Sequence, residues 1–330
     1  MKKISFILLT LIVIISNLLF GSINLTMFSW FDLSEQHQEL IKVIVLENRL
    51  PRTLLAFFAG MSCAITGLIM QTIFKNALAG PTTLGINSGA SLGMALFYFC
   101  ISVFGVVPFA YGEIVFSVVG AMLFLSMIVF VALRFQSIAT VLIIGILLGY
   151  IAFSLIEVLV QSSNENAISN YVFWGMGSFN NAIWFNVAAI GVLSTGSLVL
   201  FIKNINSLNL YLLGDDELKM SGYSPSRIRI RMIIVCGVLV GVLTSIVGPL
   251  AFLGIAIPNF LKLQLKTLDH KLLLPYCAML GGGFAVLADL LSRGVFFDAV
   301  YPLNAVLSIL AIPIIFLILV KQRTNAAGTQ

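Results

Sequence analysis

Long apolar runs separated by short polar breaks occupy most of this chain. Ten of them lie at 5–24, 53–73, 83–104, 113–133, 138–160, 183–202, 229–248, 251–264, 273–292 and 303–320. About 18 apolar residues carry a helix through the hydrocarbon core of a bilayer. Hydrocarbon offers no hydrogen bonds, so each backbone group has to be satisfied within its own segment. The runs are too long and too little alternating for barrel strands. The pattern therefore predicts an all-α, polytopic membrane protein with about ten transmembrane helices. The eighth run is short and holds Pro258, so it is expected to be a half-span.

Composition agrees, with 60% hydrophobic and 9% charged residues, against about 25% charged in soluble domains. The net charge of +5 needs no nucleic acid to explain it. With the amino terminus inside, fourteen of the 18 basic residues fall on the cytoplasmic side and four (Lys42, Arg49, Arg52 and Arg293) outside. That is the positive-inside asymmetry, and it puts both termini in the cytoplasm. Met1-Lys2-Lys3 before an apolar run also resembles a secretory leader, but no small-x-small cleavage site stands near 20–24. The first run is therefore expected to remain as a helix.

The polar stretch 204–226 divides six spans from four. Spans 2–5 and 7–10 would then enter from opposite faces, an inverted repeat of the kind transporters use. This expectation rests on topology, since residue-level similarity between the halves is weak. Cys63, Cys100, Cys236 and Cys277 are scattered through apolar runs and read as buried thiols. His37 and His270 stand apart, without metal-ligand spacing. No phosphate-binding GxxxxGK[ST] loop occurs, and no cofactor is expected. Gly145-x-x-x-Gly149, Gly237-x-x-x-Gly241 and Gly281–Gly283 are read as helix-packing positions.

More specific is the stretch from Arg49 to Ala90. It opens with Arg49-Leu50-Pro51-Arg52 and continues through Gly60, Gly67, Gln71, Asn76-Ala77-Leu78-Ala79, Pro81, Gly85 and Gly89-Ala90. Further blocks are Gly248–Gly254 with Pro258, Asp269-His270-Lys271 with Leu272–Pro275, and Asp289–Arg293 with Pro302 and Pro313. These blocks, in this order, resemble the FecCD-type permeases of ABC importers that carry iron–siderophore complexes, haem or cobalamin. The chain departs from the family pattern at Ala77, Asn259, Lys262 and Ala311.

The resemblance implies a multi-pass permease domain over 1–330 in the bacterial cytoplasmic membrane. Its partners would be a second permease subunit (like or unlike), two ATP-binding subunits and an external substrate-binding protein. It would be a transport subunit without an ATPase site. The outer edge at 47–53 and 290–300, with Arg49, Arg52 and Arg293, would meet acidic residues of the binding protein. Interfacial snorkelling, and for Arg293 an i,i+4 pair with Asp289, are the alternatives. The loop 204–226 would be the coupling element that seats in the ATPase. There Asp215, Asp216 and Glu217 suit a helix N-terminus, Gly222 ends or joins short helices, and Gly214 precedes them. A solvated linker would not need Leu212, Leu213, Leu218 and Met220.

Relatives line the pathway with the fifth and tenth spans. Here that implicates Ser137 and Thr140 at the inner gate (136–140), Glu157 and Gln161 near the outer mouth, and Asn304 and Ser308 on the tenth span. Residues 161–184 begin polar and then become rich in Trp and Tyr, as an interfacial belt or a pathway entrance. An ion-coupled secondary transporter is the rival; it would need acids in mid-span, and only Asp289 comes near. Iron–siderophore is the first choice of cargo because it is the commonest in the family.

Overall fold

The computed structural model describes residues 2–20, 39, 42–80, 85–105, 111–135, 137–294 and 299–327, with side chains from 5 to 316. His37, Pro81, Gln136, 295–298 of the outer edge and the side chains of the terminal basic residues lie outside them. Among the described residues thirteen α-helices follow one another. They are α1 (Lys2–Leu19), α2 (Leu50–Ile73), α3 (Ile86–Phe104), α4 (Gly112–Arg134), α5 (Ile138–Gln161), α6 (Glu165–Gly175) and α7 (Trp184–Lys203). Then come α8 (Ile205–Leu213), α9 (Asp215–Met220), α10 (Pro225–Val247), α11 (Leu253–Leu265), α12 (His270–Ser292) and α13 (Leu303–Ala327). A π-helical segment, Val43–Arg49, runs straight into α2.

Among the described residues seven helices are long and apolar enough to cross a membrane, and three shorter apolar ones, Ser5–Leu19, Leu253–Leu265 and Leu303–Phe316, lie where the other three expected spans fall. At about 1.5 Å per residue, the 13 residues of α11 fall short of a bilayer core, as its length and Pro258 predicted. Span seven starts earlier than expected. Pro225, with φ preset for a first helical turn, begins α10, so Arg227, Arg229 and Arg231 lie inside the helix and Arg229 is buried.

The axis of the bundle is α2. In its most apolar stretch 83% is buried, against 17% for α5 at the periphery. Small residues give α2 that place. A Cβ at Gly60 would collide with the carbonyl of Gly281 on α12, and one at Gly67 with the backbone of Gly254 on α11. Such backbone approach is how helices associate where no water is left to expel. Gly237 and Gly241 likewise pack α10 onto Leu125 and Ala121 of α4.

Helix pairing maps onto itself when α2–α5 are exchanged with α10–α13. Helix α2 lies on α12 as α10 lies on α4, α3 packs on α4 and α5 as α11 does on α12 and α13, and α2 meets α11 as α10 meets α3. The expected inverted repeat is visible in this pattern, and it has a residue signature after all. Gly80-Pro81-Thr82-Thr83-Leu84-Gly85-Ile86 precedes α3, and Gly248-Pro249-Leu250-Ala251-Phe252-Leu253-Gly254-Ile255 leads into α11. Each helix is entered through a left-handed residue, Gly85 (φ 71°) or Phe252 (φ 60°). Two faces result. One, the arginine face, gathers the start of α2 and the end of α12; the other carries α8 and α9.

Gly67→Val is expected to destabilise the bundle by about 1–3 kcal/mol or more through overpacking. Gly196→Ala, on α7 with nothing within 4 Å of the new methyl, is expected to be neutral or slightly stabilising, by up to about 1 kcal/mol. Thermal melts of the two purified variants in one detergent check the contrast.

Candidate functional site

The arginine face is organised by a buried acid. Asp289, 0% exposed, receives Arg52 Nε at 2.9 Å and Arg52 Nη2 at 2.8 Å on Oδ1, and Arg293 on Oδ2. Asn17 of α1 donates to Oδ2 at 3.3 Å and to the Val286 carbonyl at 3.0 Å. Its Oδ1 accepts from Thr53 at 2.7 Å and Arg293 at 2.9 Å. Arg49 is also buried; its guanidinium donates to the carbonyls of Leu18 and Leu19 at 2.9 and 2.7 Å, which closes the open end of α1.

The three arginines expected at a docking edge are therefore brought together but not equally presented. Arg49 and Arg293 are turned into the bundle, and Arg293 makes the i,i+4 pair with Asp289. Arg52 keeps 26% of its side chain exposed and donates to Asn180 Oδ1 at 2.6 Å. It borders an open cavity of about 600 Å³ that Arg293, Ser178, Asn180 and Tyr301 also line.

On the opposite face α8 and α9 form a short-helix pair. Gly214, at φ 151°, joins them, and a Cβ there would collide with Glu217. Gly222 (φ 82°) is the terminator after α9 and not the joint within the pair; the Tyr223 N–H returns to the Leu218 carbonyl at 3.1 Å. Asp215, Asp216 and Glu217 occupy the first turn of α9, as the macrodipole argument predicts. Asp215 lies 3.5 Å from Lys75 and 4.0 Å from Arg229, while Asp216 pairs with Lys219 at 3.2 Å. The apolar residues divide in two. Leu208, Tyr211 and Leu218 are fully buried, whereas Leu213, Tyr223 and Met220 (89% exposed) face outward.

His270, expected to stand apart, is instead a junction. Its ring lies 2.7 Å from Asn209 Oδ1 and 2.8 Å from the Thr72 hydroxyl. Next to it, the Asp269 carboxyl caps α12. The Lys271 N–H and then the Asn209 amide hold it below the usual carboxylate range. Nearby, Lys262 donates to Gln71 Oε1 at 2.6 Å, and Asn259 to the Ala77 carbonyl at 2.7 Å. Among the described residues no group of three or more His, Cys, Asp and Glu is placed to hold a metal.

The pathway residues are dispersed. Ser137 caps α5, its hydroxyl accepting from the Thr140 N–H at 3.3 Å. Glu157 and Gln161 are exposed toward the other end of α5. Asn304 departs from the expected lining role. Its amide donates to the carbonyls of Gly175 (3.1 Å) and Pro249 (2.7 Å) and accepts from the Ala251 N–H (3.1 Å), tying three segments together. Ser308 is partly buried and donates to the Asn304 carbonyl at 2.7 Å. Sequence reasoning missed Asn17, Thr53, Asn180 and Asn209. An isolated amide inside an apolar run is the signal that could have found Asn17, since such groups are costly in lipid unless bonded.

Comparison with known proteins returns one consistent picture. The model of the FecCD transport family matches residues 8–321. A hemin transport system permease protein of Yersinia pestis is 30% identical over 294 residues, covering 86% of this chain and 85% of that protein. A vitamin B12 import system permease protein of Yersinia enterocolitica is 30% identical over 305 residues, covering 92% and 88%. A metal-chelate type ABC transporter, solved in an inward-facing conformation, superposes with a TM-score of 0.85 at 26% identity, covering 97% of this chain and 100% of that one.

Replacing Asp289 with Asn leaves Arg52 and Arg293 without their counter-charge. The expected cost is about 3–5 kcal/mol, the range for breaking a buried ion pair. Arg52→Gln, at the more exposed end, is expected to cost less. Denaturation of both variants in detergent should rank them in that order.

Proposed function

This chain belongs to the FecCD transport family, and on that premise we propose that it is the permease subunit of an ATP-driven importer of a bulky metal chelate. Iron–siderophore is the first candidate cargo; haem and cobalamin follow. The observation that carries the reading is the short-helix pair. Leu213, Met220 and Tyr223 stand exposed around Asp216 and Glu217 on a segment that buries Leu208, Tyr211 and Leu218. A free linker gains nothing from exposed Leu and Met, whereas a projection that seats in a partner's groove does.

In this reading the short-helix face is cytoplasmic, in keeping with the basic residues clustered there, and both termini are inside. Gly214, Asp215, Asp216, Glu217 and Gly222 shape the element that a separate ATPase subunit grips. On the opposite side Arg52 presents the accessible guanidinium to an external binding protein, over a floor built by Arg49 and Arg293. Rim charges of this kind set encounter rate and register more than affinity. A second permease subunit would cover the exposed face of α5, including Ser137, Thr140, Glu157 and Gln161, and that of α13 near Ser308.

Met220→Glu is expected to leave the fold intact, within about 0.5 kcal/mol for a surface change, and to weaken retention of the ATPase subunit. Pull-down from solubilised membranes measures the second effect and a melt the first. Uptake of a ferric chelate by vesicles holding this chain, a binding protein and an ATPase should require ATP; uptake on an ion gradient alone would overturn the proposal.

A further inference from the structure

Helices α2 and α12 are fastened to each other at both ends and along their middle. Arg52 and Asp289 join them on the arginine face, and Gly60 and Gly281 hold their backbones together within the bundle. At the far end the fastening runs through His270 and includes the short-helix pair. Three elements meet there: Asn209 from α8, Thr72 from α2, and Asp269 with His270 from α12.

The hydrogen bonds fix the orientation of this junction. The Asn209 amide N–H donates to Asp269 Oδ1 at 2.6 Å, which turns the Asn209 carbonyl oxygen toward His270. That oxygen accepts the His270 backbone N–H at 3.0 Å and faces ring Nδ1 at 2.7 Å. Opposite a carbonyl oxygen, Nδ1 must carry a proton. In the neutral ring Nε2 is then an acceptor, and the Thr72 hydroxyl, 2.8 Å away, donates to it. The same hydroxyl lies 3.0 Å from the Leu68 carbonyl. One proton cannot serve both acceptors, so bonding to the ring draws Thr72 away from its own helix. His270 is 1% exposed and Thr72 2%, which makes loss of either bond costly.

Resting on the transport reading above, we propose that Asn209 and His270 are positioning residues that lock the short-helix pair to α2 and α12, so that a displacement of α8 and α9 moves those two helices as one body. Rigid elements with discrete bonded contacts are a physical means by which one face can act on the other. Asn209, His270 and Thr72 form a series, with the imidazole as its middle member. Breaking either end should therefore release the same connection, whereas independent structural contacts would add.

The test uses the full chain in lipid nanodiscs with the ATPase subunit that co-purifies with it. Spin labels at Asn166→Cys and Val300→Cys report the arginine face, and no cargo is needed. ATP is expected to shift the label distance in the otherwise unsubstituted chain. Asn209→Ala and Thr72→Val should each lose most of that shift while ATP hydrolysis continues, and the double variant should be no worse than either single. His270→Asn, which keeps a donor toward Asn209 but removes the acceptor for Thr72, should reproduce Thr72→Val. An unchanged shift in the single variants, or losses that multiply in the double, overturns the inference.

Hydrogen exchange of amides 205–222 in the chain alone judges the lock without the ATPase. Asn209→Ala removes three hydrogen bonds and should speed it at least roughly five-fold, the effect expected for losing one such bond to a buried group; unchanged exchange also overturns the inference. Failure of the unsubstituted chain to retain any ATPase would instead sink the transport reading.

Discussion

Helices in hydrocarbon gain nothing by expelling water, so this bundle is held by close backbone approach and by polar bonds made out of reach of solvent. Both appear on α2. Its glycines let α11 and α12 come to backbone distance, and its two ends carry the polar groups that bond to neighbouring helices. Arg49, Arg52 and Thr53 stand at one end, Gln71 and Thr72 at the other. Displacing α2 would break the contacts at its waist and both sets of bonds together.

The two polar ends differ in kind. On the arginine face the bonds are charged: Arg52 and Arg293 share the buried carboxylate of Asp289, and the amides of Asn180 and Asn17 accept from them as well. Arg52 is also partly open to a cavity. On the short-helix face the buried bonds are mostly neutral, made by amides, a hydroxyl and an imidazole, with Asp216 and Glu217 exposed in the first turn of α9.

Much of this was legible in the sequence. The apolar runs gave the spans, because length and hydrophobicity decide insertion with little help from tertiary context. The acidic first turn of α9 and the Asp289–Arg293 spacing are local, and local rules found them. What could not be read was which way a side chain turns. Arg49 and Arg52 are three residues apart on one helix approach, yet one caps α1 and the other reaches a cavity. His270 looked solitary because its partners, Asn209 and Thr72, come from distant segments. The repeat was visible in topology, but its Gly-Pro and Leu-Gly-Ile signature is short and offset by one residue, and general similarity between the halves hides it.

The bond between Asn17 and Asp289 spans 272 positions. A ribosome at about 5–20 residues per second delivers the first helix many seconds before the ninth span exists. Throughout that interval the amide of Asn17 sits in lipid without the carboxylate it finally meets. Docking of α1 onto α12 must therefore be a late event, completed only after nearly the whole polypeptide has been inserted, and a chain cut short before Asp289 would hold its first helix through Arg49 and Thr53 but without that carboxylate.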